Sequence, residues 1–96
     1  MSEVVITREQ DGSKGRYVLV QDGHEADLTY SRMGETRVIA DHTAVAEALA
    51  GTGAGLRLVE RLVADARAEG FLIVPLCPFV NAMRRKHPDW ADAFDV

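Results

Sequence analysis

The sequence predicts a mixed α/β fold, in which an antiparallel meander of four strands is followed by a βαβ unit and a C-terminal helix. Between residues 4 and 41, short apolar stretches alternate with turn residues, as is typical of a meander. Further along, apolar residues recur every three or four positions, which is the period of one helix face. A short continuous apolar run comes next, and it predicts a buried strand parallel to the strand before the helix.

The predicted strands of the meander cover residues 4–7, 16–21, 26–31 and 36–41. Turn residues separate them, and Asp22-Gly23 is a dipeptide that favours a tight hairpin. The second strand has apolar side chains on both faces between Tyr17 and Val20. We therefore expect this strand to be covered on both sides.

The helix of the βαβ unit is predicted to end at Gly70, because glycine accepts the left-handed conformation that ends many helices. Its apolar face is formed by Leu56, Val59, Leu62, Val63 and Ala66. The parallel strand then covers residues 71–74.

Pro78 is predicted to begin the C-terminal helix, which continues to Lys86. Within it, Phe79, Ala82 and Met83 are expected to face the core. Trp90 and Phe94 are four residues apart in the tail, and we expect them to dock on the body of the domain.

Three glycines alternate just before the first helix. Without a β-carbon, a ligand can approach the backbone closely, and the amides of a helix N-terminus can bind an anion. We therefore predict a phosphate or pyrophosphate cradle formed by Gly51, Thr52, Gly53, Ala54, Gly55 and Leu56. Leu56 stands where a dinucleotide fingerprint needs glycine, and the residues that follow do not make a P-loop. The alternative is a left-handed turn that binds no ligand.

Composition limits the classes of function. The 96 residues suit a single domain, 1–96, and the formal charge is −4. This charge argues against nucleic-acid binding and favours cationic substrates such as amines. No apolar run has the length of a membrane span or signal peptide, so we expect a soluble, cytoplasmic protein with no membrane partner. The single cysteine excludes an internal disulfide, which fits a reducing compartment.

The pattern Val45-x-x-x-Leu49-x-Gly51-x-Gly53-x-Gly55 resembles the acyl-CoA-binding motif of the GCN5-related N-acetyltransferases (GNATs). Three further segments make the chain similar to the small stand-alone branch of that superfamily, the YjdJ-type or NATD1-like domains: His42-Thr43-x-Val45, Cys77-Pro78-Phe79-Val80 and Lys86-His87-Pro88-x-Trp90. The resemblance extends over about residues 16–92. It implies a compact GNAT-like fold without the early helices of larger members.

The resemblance also implies that acetyl-CoA binds as the acyl donor, without a metal. Its pantetheine would pair with the backbone of residues 42–45, which includes Thr43, Ala44 and Val45. Its pyrophosphate would lie on the amides of residues 51–55. Arg84, in a basic run that ends at Lys86, would contact the 3′-phosphate; a solvated helix face is the alternative meaning of that run.

Cys77 and His42 are the candidate catalytic residues. Cys77 is the predicted N-cap of the last helix, where the helix dipole would favour a thiolate that could take an acyl group from a thioester. The alternative is a small buried hydrophobic residue. His42 could act as a base toward the amine, because imidazole titrates near neutrality; a structural hydrogen bond is its alternative role. His42, Cys77 and His87 lack metal-ligand spacing.

The chain departs from the superfamily pattern at two positions. Ala50 occupies the place of the usual Arg or Gln before the glycines. Met83 is the nearest candidate where many members have a tyrosine that protonates the leaving thiolate. We expect an N-acetyltransferase acting from acetyl-CoA on a small-molecule or protein amine, with Cys77 as a candidate acyl carrier. The alternative is a non-catalytic acyl-CoA-binding or sensing module; the sequence does not give the oligomeric state.

Overall fold

The computed structural model describes residues 4–96, which form a five-stranded sheet and two α-helices. Strands β1 to β5 lie side by side in chain order and span Val4–Asp11, Lys14–Gln21, His24–Met33, Arg37–Val45 and Leu72–Val74. The first four strands are antiparallel, and β5 runs parallel to β4. The predicted mixed α/β fold is confirmed, although β1 and β4 each extend four residues beyond their predicted ends.

Helix α1 spans Ala54–Glu69 and connects β4 to β5, and helix α2 spans Pro78–Lys86. Two short 3₁₀ helices, Glu47–Leu49 and Pro88–Ala93, lie before α1 and after α2. Gly70 has a φ of 77°, and its N–H donates to Ala66 O at 2.9 Å, so the predicted left-handed end of α1 is confirmed. The predicted Asp22-Gly23 hairpin is also confirmed, since both residues have positive φ.

The core lies between α1, α2 and one face of the sheet. From the sheet it takes alternate side chains such as Tyr17, Leu28 and Val38, and from α1 mainly Leu58 and Leu62. Trp90 and Phe94 are buried in the same cluster, so their predicted docking is confirmed.

One prediction about the core is wrong, and another holds in part. Ala82 is exposed, and Val80 is the fully buried residue of α2. The prediction that β2 is covered on both faces holds in part: on its second face Val18 is buried, at 5% exposure, whereas Val20 is 38% exposed. The exposed valine reflects the preference of β-branched residues for strands.

A polar network joins the first two strands to α1. Arg8 donates from Nε to the Tyr30 hydroxyl at 3.0 Å and from Nη1 to Glu69 and Asp65 of the helix. The Tyr17 hydroxyl donates to Asp65 Oδ2 at 2.8 Å. Burial, together with this hydrogen bond, raises the pKa of Tyr17 well above its ordinary value.

This pKa shift predicts how stability depends on alkaline pH. Folded Tyr17 keeps its proton where the unfolded chain releases it, so its contribution is complete below about pH 10 and is lost as the pH rises further. Tyr17→Phe should therefore reduce the fall in unfolding free energy above about pH 10, by up to about 1.4 kcal/mol per pH unit. Urea unfolding of the wild-type and Tyr17→Phe proteins at several pH values measures how steeply the unfolding free energy of each falls with pH. Equal slopes in the two proteins would contradict a raised pKa of Tyr17 in the folded state.

Candidate active site

The site begins where β4 and β5 separate. The two strands pair over three residues, the last pair being Ile39 with Val74. Strand β4 continues to Val45, whereas Pro75 follows β5 and has no N–H to extend the ladder. Cys77 N–H donates to Ala40 O at 2.8 Å. Beyond this bond, residues 41–45 of β4 have no strand partner on this edge; we name the space beside it the slot.

A β-bulge in β4 decides which side chains face the slot. Tyr30 pairs with Ala40, but Thr29 pairs with His42, so Asp41 is an extra residue in β4. After the bulge, Thr43 pairs with the buried Leu28 and points to the helix side of the sheet. His42 therefore lies on the opposite side and is exposed.

Cys77 lies on the helix side, at the N-cap of α2 as predicted. Its side chain is 2% exposed, and Sγ is 3.3 Å from Thr43 Oγ1. The Cys77 carbonyl accepts the N–H of Asn81, so both backbone groups of Cys77 are held. The thiol thus has a fixed position beneath the slot, with a hydroxyl as its polar neighbour. Cys77 and His42, the two predicted catalytic residues, lie on opposite faces of the sheet.

The glycine-rich segment forms the other end of the slot. Gly51 and Gly53 have φ values of 78° and 85°, in the left-handed region that favours glycine. A β-carbon added to either glycine would meet no atom within 4 Å, so there is open space next to both residues. Gly53 is the N-cap of α1 and supplies no side-chain hydrogen bond. The first hydrogen bond of the helix comes from Arg57 N–H, which leaves the amides of residues 54–56 available to an anion.

Gly55 has a different role from the other two glycines. It lies inside the first turn of α1, because the helix begins one residue earlier, at Ala54. A β-carbon at Gly55 would lie 2.7 Å from Cζ of Phe79. Gly55 therefore lets α1 and α2 approach each other closely.

An apolar groove of about 440 Å³ extends from Val45, at the end of β4, to the glycine-rich segment. Among the predicted cofactor-binding residues, it is lined by Val45, Gly51, Gly53, Ala54, Gly55 and Leu56. Phe79 and Met83 of α2 form its opposite wall, together with Leu49 and Ala50. Phe79, which was predicted to face the core, is partly buried against the core cluster and also lines the groove. Its contact with Gly55 could not be identified from the sequence.

The remaining predicted cofactor residues lie around the groove. Thr43 does not line the groove and contacts Cys77. Thr52 donates its hydroxyl to Leu49 O at 2.6 Å and so stabilises the turn. Ala44 is on the exposed face, paired with Asp27. Arg84 donates to Asn81 Oδ1 and borders a separate hollow near Pro88 and Phe94.

No group of three or more His, Cys, Asp or Glu side chains in residues 4–96 converges as a metal site. None of the helices that the structure describes has the length and apolar character needed to cross a membrane.

A family model described as GCN5-related N-acetyl-transferase matches residues 16–93. No curated protein matches the chain. The family match covers the meander from β2 onward, the slot, the glycine-rich segment, both helices and the 3₁₀ tail. The chain therefore belongs to the GCN5-related N-acetyltransferase family, whose domains use acetyl-CoA as the acyl donor.

The contact between Gly55 and Phe79 gives a testable prediction. Gly55→Ala should destabilise the protein by about 1–2 kcal/mol, because overpacking costs about 1–3 kcal/mol and the better helix propensity of alanine returns up to about 1 kcal/mol. In a Phe79→Leu background, the same substitution should be neutral or stabilising. Urea unfolding of the four proteins measures this cycle. An equal cost in both backgrounds would mean that Phe79 is not what excludes a β-carbon.

Proposed function

We propose that the groove binds acetyl-CoA and that the protein transfers the acetyl group to an amine. The supporting observation is that an apolar groove runs between the uncapped N-terminus of α1 and the unpaired edge of β4. These surfaces match an acyl-CoA in chemistry: amides for the pyrophosphate, a strand edge for the amide groups of pantetheine, and apolar walls for its alkyl parts. We also assign the chain to the small stand-alone branch of the family, and place its activity in the cytoplasm.

The residues present fit this cofactor. Because Gly51 and Gly53 have no side chains, the space next to them is free for the phosphates. The amides of residues 54–56 are available to the phosphate oxygens. When bound, acetyl-CoA supplies an activated thioester. Phe79 and Met83 exclude water from one side of the groove. Ala50 and Met83 supply no charge or acid there, so the amides carry the phosphate binding.

Cys77 is the candidate acyl carrier. In this step a bond forms between Cys77 Sγ and the acetyl carbon, the thioester bond of acetyl-CoA breaks, and the thiol proton ends on the CoA sulfur. The Thr43 hydroxyl, 3.3 Å from Sγ, can hydrogen-bond either the thiol or the thiolate and holds the sulfur in place. In the second step the amine nitrogen would form a bond to the acetyl carbon, and the bond between that carbon and Cys77 Sγ would break. His42 would take the proton of the amine at the exposed face of β4, and the Cys77 thiolate would regain a proton from solvent.

A second candidate function is acyl-CoA sensing without transfer. Two observations favour it: the 2% exposure of Cys77, and the presence of Met83 where a proton donor would be needed.

Binding is tested by thermal denaturation with acetyl-CoA, CoA and NAD. At about 100 times its dissociation constant, acetyl-CoA should stabilise the folded protein by about 2.7 kcal/mol. Gly53→Val should abolish most of this stabilisation, because the side chain would occupy the space before the amides and resist a φ of 85°.

Gly34→Val is the matched control. Gly34 also has a positive φ, of 71°, and open space before it, but it lies in the turn after β3, outside the groove. This variant should lose stability and keep the response to acetyl-CoA. Absence of stabilisation of the wild-type protein by any CoA species would remove the cofactor assignment.

Mass spectrometry distinguishes transfer through Cys77 from the alternatives. After incubation with acetyl-CoA, the peptide that contains Cys77 should carry an acetyl increment, and Cys77→Ser should lack it while still binding CoA. Turnover of amines without the increment would indicate direct transfer, with Cys77 as a packing residue. Binding with neither an increment nor CoA release would favour the sensing module.

A further inference from the structure

The sulfur of Cys77 has one side-chain partner. In residues 4–96, the Thr43 hydroxyl is the only side-chain group that forms a hydrogen bond with Sγ, at 3.3 Å. The backbone groups of Cys77 have other partners, because its N–H donates to Ala40 O and its carbonyl accepts the N–H of Asn81. His42, the proposed base, lies on the opposite side of the sheet. A proton that leaves the thiol therefore has the Thr43 hydroxyl as its nearest side-chain acceptor.

The position of this hydroxyl connects the buried sulfur to the slot. Cys77 is buried, whereas Thr43 is partly exposed. Thr43 lies in the middle of the segment 41–45, which has no strand partner on the edge toward β5. Val45, the next residue on the same side of the strand, lines the proposed cofactor groove. Thr43 thus lies between the sulfur of Cys77 and the space in which the thioester would bind.

The Thr43 hydroxyl also keeps unused hydrogen-bonding capacity. A threonine hydroxyl can donate one hydrogen bond and accept two. Within the described residues, the hydroxyl of Thr43 bonds only to Cys77 Sγ. It can therefore accept the thiol proton while it donates its own proton to a second sulfur in the slot. Phe79 and Met83, on the facing wall of the groove, carry no proton that they could donate.

We infer that Thr43 relays the proton of Cys77 to the leaving CoA sulfur, which is the proton-donor role that Met83 cannot fill. The inference rests on the proposed function and adds a catalytic residue to it. As Sγ forms its bond to the acetyl carbon, the thiol proton passes to Thr43 Oγ1, and the hydroxyl proton of Thr43 passes to the CoA sulfur. The bond between that sulfur and the acetyl carbon breaks. CoA then leaves as a thiol, Thr43 is again a neutral hydroxyl, and Cys77 carries the acetyl group.

The test compares Thr43→Val with Thr43→Ser. Valine keeps the β-branching that favours a strand but lacks the hydroxyl, and serine keeps the hydroxyl. Acetyl-CoA should stabilise both variants against thermal unfolding as it does the wild type. Mass spectrometry follows the rate at which the Cys77 peptide gains an acetyl group. This rate should fall about 100-fold in Thr43→Val, which is a usual contribution of proton transfer, and by less than about fivefold in Thr43→Ser.

A donor with a better leaving group distinguishes a proton relay from a structural role. S-phenyl thioacetate releases a thiolate that is less basic than that of CoA and can leave without a proton. Thr43→Val should therefore slow acetylation by this donor by only about threefold or less. A variant that merely displaced Sγ would slow both donors equally. Thr7→Val is the matched control, because Thr7 is an exposed threonine of β1, and it should leave both rates unchanged.

Several results would overturn the relay and leave the proposed function standing. These are an unchanged rate in Thr43→Val, an equal loss with the two donors, no rescue by Thr43→Ser, or an equal effect of Thr7→Val. Loss of stabilisation by acetyl-CoA in Thr43→Val would assign the hydroxyl to binding and would also overturn the relay. A wild-type protein that binds acetyl-CoA and leaves Cys77 without an acetyl group would instead remove transfer through Cys77, and the relay with it.

Discussion

Strand β5 pairs with β4 over only three residues, and the site depends on this limit. Pro75 lacks the N–H that would continue the ladder, and Cys77 then bonds back to Ala40. Strand β4 continues beyond this point with one edge unpaired. A longer β5 would close the slot by pairing with the free edge of β4. The absence of further pairing thus leaves room for an extended ligand between the strand and α2.

The slot separates two different surfaces. On the helix side, the groove is apolar and ends at the uncapped amides of α1, which suits a long ligand with anionic phosphates. On the opposite side of the sheet, carboxylates outnumber cations among the residues that line the surface hollows. In the proposed complex, a chain of net charge −4 would bind an anionic donor through backbone amides and not through lysine or arginine side chains.

Local sequence signals predicted much of this arrangement. Gly70, Pro78 and the Asp22-Gly23 dipeptide act on their own backbone, so their turns and helix ends could be predicted from residue type. The bulge at Asp41 could not, because it is a property of the register between β3 and β4. For that reason the sequence analysis grouped His42 with Cys77, whereas the structure separates them. The role of Gly55 was also hidden, since it depends on Phe79, 24 positions away in the chain.

The bulge means that β4 follows two alternation frames. Up to Ala40, even-numbered residues point to the helices, whereas from Thr43 onward odd-numbered residues do. Deletion of the single residue Asp41 would join the two frames into one regular alternation, in which Ala40 and Thr43 stay on the helix side and His42 stays on the opposite side. Asp41 thus adds a carboxylate to the side of the sheet opposite the helices without changing which residues of β3 and β4 are partners on either side of it.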